Sequence, residues 1–226
     1  TTSVESLLDD AYLASRATLI QPQRAQAFEA GSPDDVHRRG GTIYLSAADE
    51  RGMMVSFIQS NYMGFGSGVV VPTFGISLKN RGAGFSMQER HPNVVAPGKR
   101  PFHTIIPAFL TRDGAPQMGF GIMGGHMQPQ AHVQTLVRML DHRQHPQAAC
   151  DAPRWRVNDG LEINVERHMP RATIDALRSL GHQMVGLDDS YMDFGAGQFI
   201  WRLGDPAVEG YVAASDPRRD GQAAGF

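Results

Sequence analysis

Thr42 stands behind two glycines in RRGGTIYLSAA, where a polar approach meets the start of a β-rich run. A hydroxyl becomes a nucleophile only when a base takes its proton. In serine hydrolases that base is a positioned histidine, commonly with the serine on a GxSxG elbow, and no such elbow occurs here. The other solution makes the hydroxyl residue the first of a chain, so that its own α-amine, with an ordinary pKa near ~8, accepts the proton. Cleavage between Gly41 and Thr42 would create that arrangement, and Gly41 leaves its carbonyl open to attack. Threonine is also an ordinary residue with which to begin a strand, and the residues alone leave both readings open.

Other polar clusters offer less. Of nine histidines, His142 and His145 are three apart and His126 and His132 six apart, with no HExxH or CxxC to complete a ligand set, so neither a metal nor any other cofactor is expected. His168 and His182 border a helical pattern, where capping or solvation accounts for them. GFGSG at Gly64 to Gly68 lacks the Lys-Ser/Thr ending and the following helix of a phosphate loop. Gly124 and Gly125 join a strand-like segment to a helical one, which suits backbone amides aimed at an anion and also a simple turn. Cys150, the single cysteine, cannot form an intrachain disulfide; its setting in HPQAACDAPRW, at a helix end, favours burial over a reactive thiol.

The elements that must position these residues follow from periodicity. VESLLDDAYLAS (4–15) has helical spacing with a start at Ser3 or Ser6, and QPQRAQAFE (21–29) reads as a second short helix. EAGSPDDVHRRGG (29–41) is a polar, exposed linker. TIYLSAAD and MMVSFIQS form a hairpin around ERG, and FHTIIPAFLTR (102–112) and PQMGFGIMG (116–124) another around DGA. A helix through MQPQAHVQTLVRMLDHR comes next, then a strand LEINVE, a helix RATIDALRSLG between Pro170 and Gly181, and strands QMVGL, GQFIWRL and EGYVAAS. About eight strands and three or four helices, mostly linked by hairpins, predict an α+β layered fold rather than an alternating βαβ sheet.

Composition sets the outer bounds. The 226 residues, 41% hydrophobic and 19% charged, are enough for one substantial core. A net charge of -2 with no basic block gives no reason to expect nucleic acid. No run approaches the ~20 apolar residues that span a bilayer, so no membrane partner is expected. Cysteine usage signals no oxidising compartment, which weighs slightly toward cytoplasm over periplasm, while a chain that begins TTSVESLL without methionine leaves location open.

Several blocks taken together resemble the gamma-glutamyltransferase family of N-terminal nucleophile hydrolases: GGTIYLSAADERG, SFIQSNYMGFGSGVVVPTFGISLKNRGAGFS, HPNVVAPGKRPFHTIIP, GIMGGHMQPQ, ACDAPRW and ASDPRRDGQAAGF, in the family's order from Gly40 to Phe226. The resemblance implies a four-layer αββα sandwich and a precursor that cuts itself before a threonine, matched by Thr42. Residues 1–41 would then be the tail of the large subunit with its linker, and 42–226 the small subunit. The partners implied are the rest of the large subunit and a small-molecule amide, γ-glutamyl or other acyl substrate, with self-association left open. Ser60 matches the position, usually threonine, whose hydroxyl bonds the nucleophile. Gly124 and Gly125 match the pair whose amides form the oxyanion hole, each such donor being worth roughly 3 to 4 kcal/mol to the transition state.

The departures concern specificity. Tyr62 replaces the family's asparagine, Arg81 and Gly84 replace a glutamine and an aspartate that bind an α-amino group, and His103 and Thr104 replace two serines that bind an α-carboxylate. Losing the aspartate and gaining a cation should end the preference for a glutamate-like zwitterion, as in the acylase-like branch. Arg81, His103 and Tyr62 could then hold an acyl chain ending in a carboxylate, or Arg81 could belong to a structural ion pair. The expected activity is amide hydrolysis through an acyl-enzyme on Thr42, with weak transfer to amino acids. An uncut, non-catalytic relative serving binding or assembly is the alternative.

Overall fold

In APQMGFGIM large residues and glycines alternate, and that alternation decides how the layers stack. The computed structural model describes residue 5 and residues 8–27, 40–188 and 193–226. Strand β6 (Ala115–Met123) runs through a four-stranded antiparallel sheet ordered β11 (Tyr211–Ser215), β10 (Ala196–Arg202), β6, β5 (Ala108–Arg112). On one face Met118, Phe120 and Ile122 are buried with Phe199 and Ala214 against helices α2 (Met127–Leu140) and α3 (Pro146–Asp151), which contribute Met127, Ala131, Met139, Ala149 and Cys150. Each large apolar side chain so buried contributes roughly 1.5–3 kcal/mol.

On the other face Gly119 and Gly121 let a second β layer approach. That layer is the hairpin β1 (Gly40–Ala48) and β2 (Met54–Met63), closed by an Asp49 side chain that accepts from the N–H groups of Arg51 and Met53. A Cβ at Gly121 would lie 2.4 Å from the Tyr44 ring. Ser56 Oγ donates to Phe120 O at 3.2 Å, and Tyr211 Oη donates to Asp49 O at 2.8 Å. Strand alternation puts Thr42, Tyr44, Ile58 and Ser60 on this inward face. Ile43, Leu45, Val55 and Phe57 fall on the outward face and are exposed.

A smaller three-stranded sheet, β7 (Trp155–Val157), β8 (Glu162–Glu166) and β9 (Gln183–Leu187), packs Ile163, Val165, Met169 and Met184 against Ile174 and Leu177 of α4 (Arg171–Ser179). Strands β8 and β9 are parallel, so this unit does contain a βαβ crossover, unlike the hairpin-linked sheet. Four buried charges bind the two parts. Arg154 pairs with Asp216 at 2.6 Å, and Arg218 reaches both Asp216 and Glu166, at 3.0 and 2.5 Å.

Several expectations change. The helix predicted over 4–15 is broken at residues 8 and 9: Glu5 is helical, and helix α1 (Asp10–Ala17) starts afresh where Asp9 caps it, accepting from Tyr12 N at 2.8 Å, while Ser3 and Ser6 lie outside the described residues. No helix forms over 21–27: Ala25 is instead buried, donating its N–H to Leu180 O at 2.7 Å. Most of the predicted linker over 29–41, residues 29–39, is also outside the described residues. The strand predicted over 102–112 shortens to β5: residues 102–107 leave the sheet, and Phe102, His103 and Thr104 line a cavity. Strands β3 (Val70–Val71), β4 (Ile76–Ser77) and β7 were not predicted; each is only two or three residues long.

Candidate active site

Thr42 and Ser60 are cross-strand partners, and Thr42 Oγ1 donates to Ser60 Oγ at 3.0 Å. The register breaks beside them. Gly41 opposes Tyr62 whereas Thr42 opposes Ser60, so Asn61 is the extra residue of a bulge facing the Gly41–Thr42 peptide bond. Tyr62 follows with φ +79, a conformation costly for an aromatic residue. Its N–H donates to Ser60 Oγ at 2.9 Å, so one oxygen accepts from both Thr42 and Tyr62.

Along the hairpin Met54 lies by Gly119, Ser56 by Phe120 and Tyr44 by Gly121. The Thr42/Ser60 end therefore points toward the end of β6, where Gly124 and Gly125 turn the chain into α2. Gly124 has φ +136, and a Cβ there would lie 2.7 Å from Gly195 Cα, so the turn is closed to any side chain. The Gly124 and Gly125 carbonyls accept from Met127 and Gln128, while their own amides donate to no backbone carbonyl among the described residues.

Beside this end opens a cavity of about 290 Å³ bringing together Tyr62, Arg81, His103 and Thr104. Arg81 begins a 3-10 turn (Arg81–Gly84) and is only 4% exposed. Its guanidinium lies 4.7 Å from the Tyr62 ring centroid and pairs with no carboxylate among the described residues. Burial pulls its pKa down from the usual arginine value, yet a guanidinium stays protonated in proteins. Thr104 is buried, whereas His103 sits exposed at the rim with Nδ1 accepting from Ile105 N.

Sequence reasoning assigned no role to Asn93, Phe102 or His126. Asn93 ties the walls together, donating to Gly84 O and accepting from Phe102 N, and Phe102 stacks on His126 at 6.0 Å between centroids. Their only signal was membership of the blocks HPNVVAPGKRPF and GIMGGHMQPQ. Elsewhere Cys150 is fully buried, its thiol pushed up to about 12 chiefly by desolvation, which makes it inert. His145 accepts from Gln147 N as the cap of α3, and His132 accepts from Ile122 N at 2.9 Å inside the core.

Two stacked β layers with helices on one side, and a threonine near the start of an inner strand, fit the N-terminal nucleophile hydrolase class, whose full sandwich is αββα. Comparison gives the family: the model of gamma-glutamyltranspeptidase matches residues 1–226, and the chain belongs to that family. It is 39% identical over 195 residues to the glutathione hydrolase-like YwrD proenzyme of Bacillus subtilis, covering 82% of this chain and 36% of that protein. It is also 39% identical over 194 residues to the oxamate amidohydrolase proenzyme of Klebsiella pneumoniae, covering 83% and 36%. The crystal structure of a cephalosporin acylase from Bacillus halodurans matches with TM-score 0.88 and 46% identity, over 100% of this chain and 40% of that one. The chain thus spans little more than a third of the curated relatives it matches.

Proposed function

We propose that this chain is the nucleophile-bearing part of a precursor that cuts itself between Gly41 and Thr42 and then hydrolyses an amide through an acyl-enzyme on Thr42. The observation that carries this is the hydrogen bond from Thr42 Oγ1 to Ser60 Oγ at a bulge facing the Gly41–Thr42 bond. In self-cleavage Thr42 Oγ1 attacks the Gly41 carbonyl, the acyl group moves from nitrogen to oxygen, and water hydrolyses the ester. The freed α-amine of Thr42 then takes the hydroxyl proton when a substrate carbonyl is attacked and returns it to the leaving amine. Ser60 orients the nucleophile, and the amides of Gly124 and Gly125 receive the oxyanion. Residues 1–41 become the tail of the preceding subunit and 42–226 the following one.

The cavity walled by Tyr62, Arg81, His103 and Thr104 is the acyl site. A buried guanidinium without a carboxylate partner among the described residues favours an acyl group that brings its own carboxylate, because an unpaired buried charge is costly. Two similar proteins named as proenzymes support the maturation step, and one of them acts on oxamate, an amide that carries a carboxylate. With no aspartate at Gly84 to hold an ammonium, the site favours hydrolysis over transfer to amino acids.

Denaturing electrophoresis of the full-length protein with and without Thr42→Ala tests the reading. Two fragments from the wild type and one from the variant, with hydrolysis lost together with cutting, are expected. A wild-type protein that stays whole on long incubation would instead mark a non-catalytic relative. Comparing glutaryl with γ-glutamyl anilide tests the acyl site, and preference for the γ-glutamyl compound would sink its carboxylate reading.

A further inference from the structure

Tyr62 touches both halves of this site. Its backbone N–H donates to Ser60 Oγ at 2.9 Å, and that oxygen also accepts the Thr42 hydroxyl at 3.0 Å. Its ring carries the Arg81 guanidinium, 4.7 Å from the centroid. The segment leading into Arg81 clamps the same bulge. Asn80 N donates to Asn61 O at 3.1 Å, and Asn80 Oδ1 accepts from Met63 N at 3.1 Å, one bond on each side of Tyr62.

These contacts make the φ of +79 at Tyr62 intelligible. An extended residue at this place would carry the strand straight on and take the Met63 N–H away from Asn80 Oδ1. With the Tyr62 amide turned onto Ser60 by the bulged Asn61, the positive φ bends the chain back so that Tyr62 opposes Gly41 and Met63 N reaches Asn80 Oδ1. Glycine or asparagine would adopt it at little cost, whereas tyrosine does not do so readily. A ring is therefore held there against backbone preference, and what it meets is Arg81, the only arginine or lysine among the described residues lining the cavity.

We propose that Tyr62 is a two-sided positioning residue: its backbone aligns Ser60, and through it Thr42, while its ring seats Arg81 to receive the carboxylate of the acyl group. The inference rests on the amide-hydrolase reading above. It assigns the two sides to different kinetic constants: the backbone governs self-cleavage and kcat, and the ring governs KM for acyl groups ending in a carboxylate.

Two substitutions in the full-length protein separate them. Tyr62→Ile deletes the ring and, being β-branched, resists positive φ; Tyr62→Gly deletes the ring and accepts that φ. Both should raise KM for glutaryl anilide about tenfold, with KM for hexanoyl anilide moving less than about twofold. Only Tyr62→Ile should also slow self-cleavage and lower kcat, each by about tenfold relative to Tyr62→Gly. Tyr62→Asn, which tolerates the same φ, should follow the glycine variant, and Tyr62→Phe should recover the glutaryl KM lost in both. If the isoleucine and glycine variants cut and turn over alike, the backbone role is wrong. If glutaryl and hexanoyl KM shift together, or Tyr62→Phe recovers nothing, the ring role is wrong. Activity surviving Thr42→Ala would instead overturn the underlying reaction, whatever Tyr62 does.

Discussion

Thr42 Oγ1 and Ser60 Oγ lie 3.0 Å apart across the β1–β2 ladder, and the Tyr62 N–H reaches the same Ser60 oxygen. Both lone pairs of Ser60 are thereby engaged as acceptors. A neutral hydroxyl is too weak a base to take the Thr42 proton, so the part of Ser60 is to fix where the Thr42 lone pair points.

Ser60→Ala should accordingly slow both self-cleavage and hydrolysis by about 100-fold, with little change in KM, because orientation and not substrate contact is lost. Ser60→Thr keeps the oxygen and should recover most of that loss. Single-turnover hydrolysis and a time course of cutting on gels measure the two effects. A Ser60→Ala protein as fast as wild type in both would remove Ser60 from the mechanism.

Gly84 stands three residues after Arg81 in the same 3-10 turn, a spacing at which side chains eclipse. A Cβ there would lie 3.2 Å from Phe102 O, tight but open to a shift of a few tenths of an ångström. Gly84→Asp should therefore be tolerated, and its new carboxylate should pair with Arg81 and displace an incoming one. KM for glutaryl anilide is expected to rise about tenfold, against little change for hexanoyl anilide. An unchanged ratio of the two would show that Arg81 does not read the acyl terminus.

How far the sequence carries this picture depends on whether the signal is local. The meeting of Thr42 with Ser60 was implied by the family resemblance, and the β1–β2 hairpin was legible because a short turn joins two β-rich runs. The bulge at Asn61 was not, since it depends on clamps from Asn80, nineteen residues away. The alternation of Met118, Phe120 and Ile122 with Gly119 and Gly121 was readable as a strand, but its use in admitting the Tyr44 ring appears only in the stacked layers. The segment 21–27 failed as a helix because the Leu180 carbonyl supplied a partner that local propensity cannot foresee. Arg154 and Asp216 meet across 62 residues, and ACDAPRW and ASDPRRDG gave no hint that they would.

The Arg154–Asp216–Arg218–Glu166 group balances two cations with two anions almost wholly out of water. Asp216→Asn would leave Arg154 short of its partner and weaken the anchor of Gly197 N, which donates to Asp216 Oδ2 at 2.9 Å. A loss of about 3–5 kcal/mol is expected, as for one member removed from a buried pair. Asp175→Asn in the exposed Arg171–Asp175 pair should cost less than about 1 kcal/mol. Denaturant titration of both variants checks the contrast, and equal losses would contradict it.

His132 gives the fold a calculable sensitivity to acid. It is buried in the core, its Nε2 accepts from Ile122 N, and burial, helped by the nearby Arg154, lowers its pKa to about 4. Unfolded, the imidazole titrates near ~6.5. Between these values the unfolded chain binds more protons than the folded one, so stability is complete above about pH 6.5, falls as pH drops, and levels off below about 4. The full loss from this group is roughly 3 kcal/mol. His132→Gln keeps an acceptor for Ile122 N but has nothing to titrate. Its unfolding free energy should fall less than that of the wild type between pH 6.5 and 4, the difference being read by denaturant titration at matched ionic strength. Parallel pH profiles would mean that the buried imidazole accepts its proton without penalty, contrary to its place against Ile122, Phe120 and Arg154.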